Sequence, residues 1–246
     1  MNAPRFVVAL LEGFPFISED GIRNAAGRTP FNTVGPGSDI SIYGEDLSAT
    51  TKSAPPGELD QALDDVWVTI NDRLLPLLYV SPTLINAQLF SDLPDGTYTL
   101  TVHRTAQADA SRDFTVRRDS PGLFQWYSPE GSTVAAFHED GTILNAASPA
   151  ALNETITILG TGFGFYDHPL VDGFPTPDTG IWNVVDSVKV TVDGQTYTPI
   201  SSRAANGYAG MVVVRVKLTG TLPSGAVDMK VTVGGVDSST VTLPVK

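Results

Sequence analysis

Cysteine is absent from this 246-residue chain, which excludes a disulfide framework and any thiolate-based metal or redox centre. Long apolar runs are missing as well: none approaches the ~18 residues of a membrane-spanning helix. The apolar piece Phe6–Leu11 is too short for a signal peptide and has no small-residue cleavage site behind it. If the protein is exported, its signal is expected upstream of this segment or already removed. Positive charge is scarce, with 15 Lys and Arg against 27 Asp and Glu and a net charge of −12. That balance argues against electrostatic binding to nucleic acid or to an anionic membrane. Helical periodicity is nearly lacking too. Its best candidate is Glu58–Val66, where Leu59 and Leu63 stand four apart, enough for one or two turns.

Glycine and proline are plentiful, at 23 and 18 residues, and suit many short strands joined by turns. Apolar residues make up 41% and charged residues 17%, so a sizeable core can form. The chain is organised around Asp39-Ile-Ser-Ile-Tyr-Gly-Glu-Asp-Leu47, which returns as Thr155-Ile-Thr-Ile-Leu-Gly-Thr-Gly-Phe163. Alternation with period two predicts half-buried strands whose Ile40, Ile42, Ile156 and Ile158 point into a core. The glycine predicts a bend or bulge, with Leu47 or Phe163 plugging the core beneath it.

The echo extends through most of the chain. An apolar strand, a Glu-Gly turn, a second strand and an Asp-Gly turn occur at Phe6–Gly21 and again at Leu123–Gly141. Asp-Gly between apolar runs predicts a hairpin. Asn24-Ala-Ala and Asn145-Ala-Ala follow, and each Asn is suited to holding a turn through its side chain. Val66–Ile70 and Val188–Val192 match, as do Leu84–Leu89 and Met211–Leu218, then the Leu-Pro-x-Gly turns at Leu93–Gly96 and Leu222–Gly225. Six or seven strand signals per half, roughly 8–15 residues apart, fit an Ig-like sandwich. The expected fold is all-β: two tandem Ig-like antiparallel sandwiches, residues 1–120 and 121–246, with little or no helix. Arg117-Arg118-Asp119 is too short for a flexible linker and predicts a fixed or narrowly hinged joint. Trp126 and Tyr127, just past it, are expected to wedge between the modules, and Trp67 is expected on the opposite face of its strand from Val66 and Val68.

Several of these motifs together resemble an uncharacterised bacterial C-terminal domain family found at the ends of large exported proteins. They are Asn-Ala-Ala, Pro36-Gly-Ser38, Ile-x-Ile-x-Gly-x-x-Leu, Tyr79-Val-Ser-Pro82, Ile85-Asn-Ala-Gln88 and Pro121-Gly-Leu-Phe124. The Gly-x-x-Phe strands are also similar to the IPT/TIG class of Ig-like folds. The resemblance implies tandem Ig-like sandwiches in a secreted or surface-attached protein, and it carries over no catalytic residue. The chain departs from the pattern at Thr83-Leu84, at Ser148-Pro-Ala150 and in a longer loop at residues 164–185.

Recognised catalytic patterns are missing. Gly160-Thr-Gly-Phe-Gly164 is followed by Phe165-Tyr-Asp-His-Pro169 and not by the helix a phosphate loop needs. No Gly-x-Ser-x-Gly elbow occurs, and His103, His138 and His168 fall in separate strands or loops. Asp167, Asp172, Asp178 and Asp186 are spaced without a calcium-loop pattern, which favours a solvated acidic loop. No cofactor and no metal are expected.

The loop at 164–185 is the best candidate for a binding surface. Aromatic rings beside carboxylates suit a carbohydrate or peptide site, and Tyr166, Asp167, His168, Asp172, Phe174 and Trp182 are the candidate contacts. The alternative is that the rings fold back to cap an open sandwich end or the joint between modules. The expected function is a non-catalytic spacer, adhesion or recognition module of a larger exported bacterial protein, extracellular or at the cell surface. It would be a monomer, with polysaccharide or other surface proteins as partners and without nucleic acid or membrane insertion. The competing class is a carbohydrate-active enzyme, or its accessory carbohydrate-binding domain, using the 164–186 loop.

Overall fold

A computed structural model describes residues 13–27, 32–129 and 131–246. The expected first strand at Phe6–Leu11 and both glutamates of the Glu-Gly turns lie outside the described residues. Within them the chain is all-β, without a helix. No helix among the described residues is long and apolar enough to cross a membrane.

The first half forms two five-stranded antiparallel sheets. One runs Phe16–Asn24, Asp39–Glu45, Leu84–Gln88, Leu77–Val80, Lys52–Ser53 in spatial order. The other runs Ala110–Val116, Gly96–Arg104, Val66–Ile70, Ala62–Leu63, with Arg73–Leu74 also paired to Val66–Ile70. Ile17, Ile40, Ile42 and Ile85 of the first sheet share one core with Val66, Val68, Leu100 and Val116 of the second. Removing each such side chain from water stabilises the fold by roughly 1.5–3 kcal/mol.

The second half repeats the plan. Thr155–Thr161 pairs with Val212–Lys217, Gly122–Leu123 and Ala136–Phe137. Facing it, Gly225–Val233 pairs with Val188–Val192, Val236–Asp237 and Val241–Val245. Ile156, Ile158, Val190, Val214, Val231 and Leu243 belong to this second core. No strand pairing among the described residues joins the strands up to Val116 with those from Gly122 onward.

The repeated glycines have a packing cause. A Cβ on Gly44 would stand 2.0 Å from the Phe16 carbonyl oxygen and 2.9 Å from Leu47 Cδ2. One on Gly160 would meet the Gly122 carbonyl oxygen and Phe163 Cε1, both at 2.8 Å. Leu47 and Phe163 are fully buried beneath them, as the alternation predicts.

Four expectations need correction. Asp20-Gly21 is not a hairpin turn: the strand Phe16–Asn24 runs through it, and the pairing with Asp39–Glu45 shifts register between Ile17 and Ile22. Asp20 takes a left-handed φ of 52° there, so the pair makes a bulge. Its counterpart Asp140-Gly141 does form a tight turn, closed by the His138 amide donating to the Thr142 carbonyl at 2.9 Å. Glu58–Val66 holds no helical turn, because Asp64 adopts φ 56° and folds Ala62–Leu63 back onto Val66–Trp67. Trp126 and Tyr127 do not wedge between the halves. They sit on the ribbon Gln125–Ser128/Gly131–Val134, where Tyr127 is 80% exposed and Trp126 packs edge-on against Phe137. Finally, Asp39–Glu45 is not simply half-buried, since its polar Asp39 and Ser41 are buried along with the isoleucines. Trp67 does lie on the opposite face, stacked on His103 with centroids 5.3 Å apart.

Candidate functional site at the junction

The strand Thr155–Thr161 ends at Gly162, whose φ of +80° carries the chain around the Ser120 carbonyl. A Cβ here would lie 2.3 Å from that oxygen, so only glycine fits. Phe163 then drops into the core, and Phe165 emerges with the Arg118 guanidinium 5.0 Å from its ring centroid. The loop beyond is ordered by its own polar contacts. Asp167 accepts from the Asn183 amide at 2.9 Å and from Asn183 Nδ2 at 2.8 Å, and its Oδ1 lies 2.9 Å from His168 Nδ1. Hydrogen bonds from Asn183, and then from His168, hold the Asp167 carboxyl below its usual range.

The middle of the loop is strapped to the first half. Asp172 Oδ2 accepts the Ser91 amide at 3.0 Å, and the Gly173 amide donates to Gln88 Oε1 at 2.6 Å. The Gly173 carbonyl accepts the Leu59 amide at 2.7 Å. Burial pushes the Asp172 carboxyl above its ordinary range. Between strap and sandwich lies a cavity of about 400 Å³, walled by Pro36, Gln88 and Ser91 from one half and by Phe165, Tyr166 and Phe174 from the other. Asp167, His168 and Asp172 line it too, so five of the six candidate residues from the sequence converge. Trp182 does not: its ring lies over Gly180 and its carbonyl accepts the Ala204 amide at 2.9 Å.

Behind the cavity the joint is held by groups whose part in it the sequence does not reveal, Asn24 being expected only as a turn residue. Asn24 Nδ2 donates to the Ser120 carbonyl at 2.9 Å and to the Thr161 carbonyl at 3.4 Å, while Oδ1 accepts the Ala26 amide at 2.8 Å. The Thr33 and Ser120 hydroxyls are hydrogen-bonded. Asp39 is 5% exposed, and its Oδ1 has no hydrogen-bond partner. Burial lifts its carboxyl to about 8. Tyr166 is raised from its ordinary phenol value by burial and by the nearby Asp39 charge. Asp119, close to Asp186, is raised to about 6 by burial and by that neighbouring charge. A polar side chain opening a core strand, as Asp39 does, was the available signal for this contact.

The other chemistry-bearing groups are spread apart. His103 pairs with Asp109 at 2.8 Å and His138 with Glu154 at 2.5 Å, each on its own sandwich. Asp186 pairs with Arg118 at 2.8 Å. Among the described residues no group of three or more His, Asp or Glu side chains is placed to hold a metal ion. The geometry offers a shaped, partly aromatic recess with hydrogen-bond acceptors.

Fold and recess together define the class: two Ig-like sandwiches in tandem with a loop-walled recess at their joint. No family model matches the chain, and no curated protein matches it. Solved structures are similar over most of its length. One is the Bacteroides ovatus mixed-linkage glucan utilization locus SGBP-B in complex with a mixed-linkage heptasaccharide, at 12% identity and TM-score 0.36, covering 87% of this chain and 43% of that one. The tandem Ig repeats of Dlar match at 13% identity and TM-score 0.21, over 87% of this chain and 93% of that one. Surface layer protein SbsC, domains 4–9, matches at 14% and 0.26, over 94% and 31%. This chain thus spans less than half of the glucan-utilization protein, and none of these likenesses bears on function.

Proposed function

We propose that the chain is a non-catalytic recognition and spacer segment of a larger exported bacterial protein, acting outside the cell or at its surface. It comprises two Ig-like modules, residues 1–120 and 121–246, and the second module's long loop contacts a polysaccharide or another surface protein. The observation that carries this reading is the recess at the joint. Its volume of about 400 Å³ falls within the range of small-ligand sites. Phe165 and Phe174 leave 37% and 44% of their surface exposed around it, area that a ligand would cover. The resemblance to C-terminal domains of exported proteins supports the same reading. The test is an array of glycans and cell-surface proteins probed with the wild type and with Phe174→Ala. Binding that the variant loses supports recognition; silence across both arrays removes it and leaves a spacer.

A further inference from the structure

We infer that the junction recess takes the end of an uncharged, hydroxyl-bearing saccharide and rejects acidic glycans, an inference that rests on the recognition reading above. Three carboxylates line the recess, Asp92, Asp167 and Asp172, and among its lining residues only His168 can turn positive. An acidic sugar would bring its charge against this wall, where Arg73 is already taken by Asp92 and Arg118, beside Phe165, by Asp186.

The same wall is a poor trap for a cation, because each carboxylate already has protein partners. Asp92 is held by Arg73 through two contacts at 2.9 and 3.1 Å, and Arg73 is itself seated 3.8 Å over the Phe90 ring. Asp167 is occupied by Asn183 and His168, and Asp172 by the Ser91 amide. Each carboxylate keeps room for a hydroxyl proton, Asp167 at Oδ2 since its Oδ1 already takes two partners, and a hydroxyl asks for no counter-charge. Phe165 and Phe174 add apolar faces that fit the C–H face of a sugar ring. The strap makes this a two-module site: the Gly173 amide has Gln88 Oε1 as its partner, so Gln88 in the first module sets where Asp172 and Phe174 stand.

The experiment is isothermal titration of the whole chain with neutral oligoglucans, oligogalacturonate and a lysine-rich peptide, for the wild type, Phe174→Ala and Gln88→Ala. Phe174 is 44% exposed, so its truncation is expected to spare the fold, and circular dichroism checks both variants. Neutral oligosaccharide binding that falls about tenfold in both variants is the expected result, matching the loss of one aromatic contact or of the strap. Oligogalacturonate or peptide binding that is sensitive to Phe174→Ala overturns the ligand class while leaving the recognition reading standing. Saccharide binding that neither variant weakens places the ligand elsewhere and overturns the site. No binding by any of the three probes overturns the inference, and the arrays then decide recognition separately.

Discussion

Asp39 and Thr161 meet across the junction: the Asp39 amide donates to Thr161 Oγ1 at 2.9 Å, and that hydroxyl donates to the Gly210 carbonyl at 2.6 Å. These two residues belong to the two copies of the repeated strand, one at the start of its copy and one just past the glycine of the other. Polar positions that would face water in an isolated sandwich therefore face the other half here. The repeat supplies both the cores and part of the seam between them.

Thr161→Val keeps the shape of the side chain but leaves the buried Asp39 amide and Gly210 carbonyl without partners. A loss of about 1–3 kcal/mol in unfolding free energy is expected from urea titration. Thr161→Ser should recover most of it. An unchanged midpoint in Thr161→Val would mean that the junction does not contribute to stability.

The seam also carries a pH dependence with a definite sign. Asp39 has a folded value of about 8 against an ordinary carboxyl value of 3.8, so the folded chain keeps a proton that the unfolded chain has released. Stability therefore declines as pH rises from about 4 to about 8, by an amount on the order of a few kcal/mol, and levels off above that. Asp119, raised to about 6, acts in the same direction over a lower window. His138, raised chiefly by its hydrogen bond to Glu154, adds a contribution that is lost as pH climbs past its raised value. Asp39→Asn should flatten most of the slope in unfolding free energies measured from pH 5 to 8.5. A slope as steep as that of the wild type would show that Asp39 is not its source.

The sandwiches were legible because their signal is local. Val66–Ile70 alternates buried and partly buried positions residue by residue, and Leu47 and Phe163 sit where the glycine spacing puts them. Asp-Gly was ambiguous because the same dipeptide allows a tight turn, as at Asp140, or a bulge, as at Asp20; which one forms depends on whether the neighbouring strand continues beside it. The strap was illegible for a different reason. Gln88 and Gly173 lie 85 positions apart, and nothing in either segment's own pattern marks the other as its partner. The aromatic and acidic composition identified the loop but not that the first half completes its recess.

Gly44→Ala and Gly160→Ala separate two kinds of crowding. At Gly44 the added methyl meets a backbone oxygen at 2.0 Å, which cannot yield without moving the strand Phe16–Asn24. At Gly160 the contacts are at 2.8 Å, and one of them is an edge atom of the Phe163 ring. Overpacking of this kind costs about 1–3 kcal/mol, and Gly44→Ala is expected at or above the upper end. Thermal melts of the two variants should rank in that order; a milder Gly44→Ala would contradict the packing account of the repeated glycine.

Asn24 and Asn145 offer the cleanest comparison within the repeat, because the same residue holds the same turn in two environments. Asn145 Oδ1 accepts the Ala147 and Ser148 amides, both at 2.9 Å, in a turn open to water. Asn24 does the equivalent for Ala26 and in addition spends its Nδ2 on the carbonyl of Ser120 at the joint and that of Thr161 in the other half, while 2% exposed. Water can replace the bonds lost in Asn145→Ala, so a change of about 1 kcal/mol or less is expected. In Asn24→Ala buried groups on both sides of the seam lose their partner, and about 2–3 kcal/mol is expected. Asn24→Asp should be as damaging, since it preserves the local acceptor but turns a carboxylate oxygen toward the Ser120 and Thr161 carbonyls. Denaturant titration of the three variants decides the matter: equal losses in Asn24→Ala and Asn145→Ala would reduce Asn24 to a turn residue.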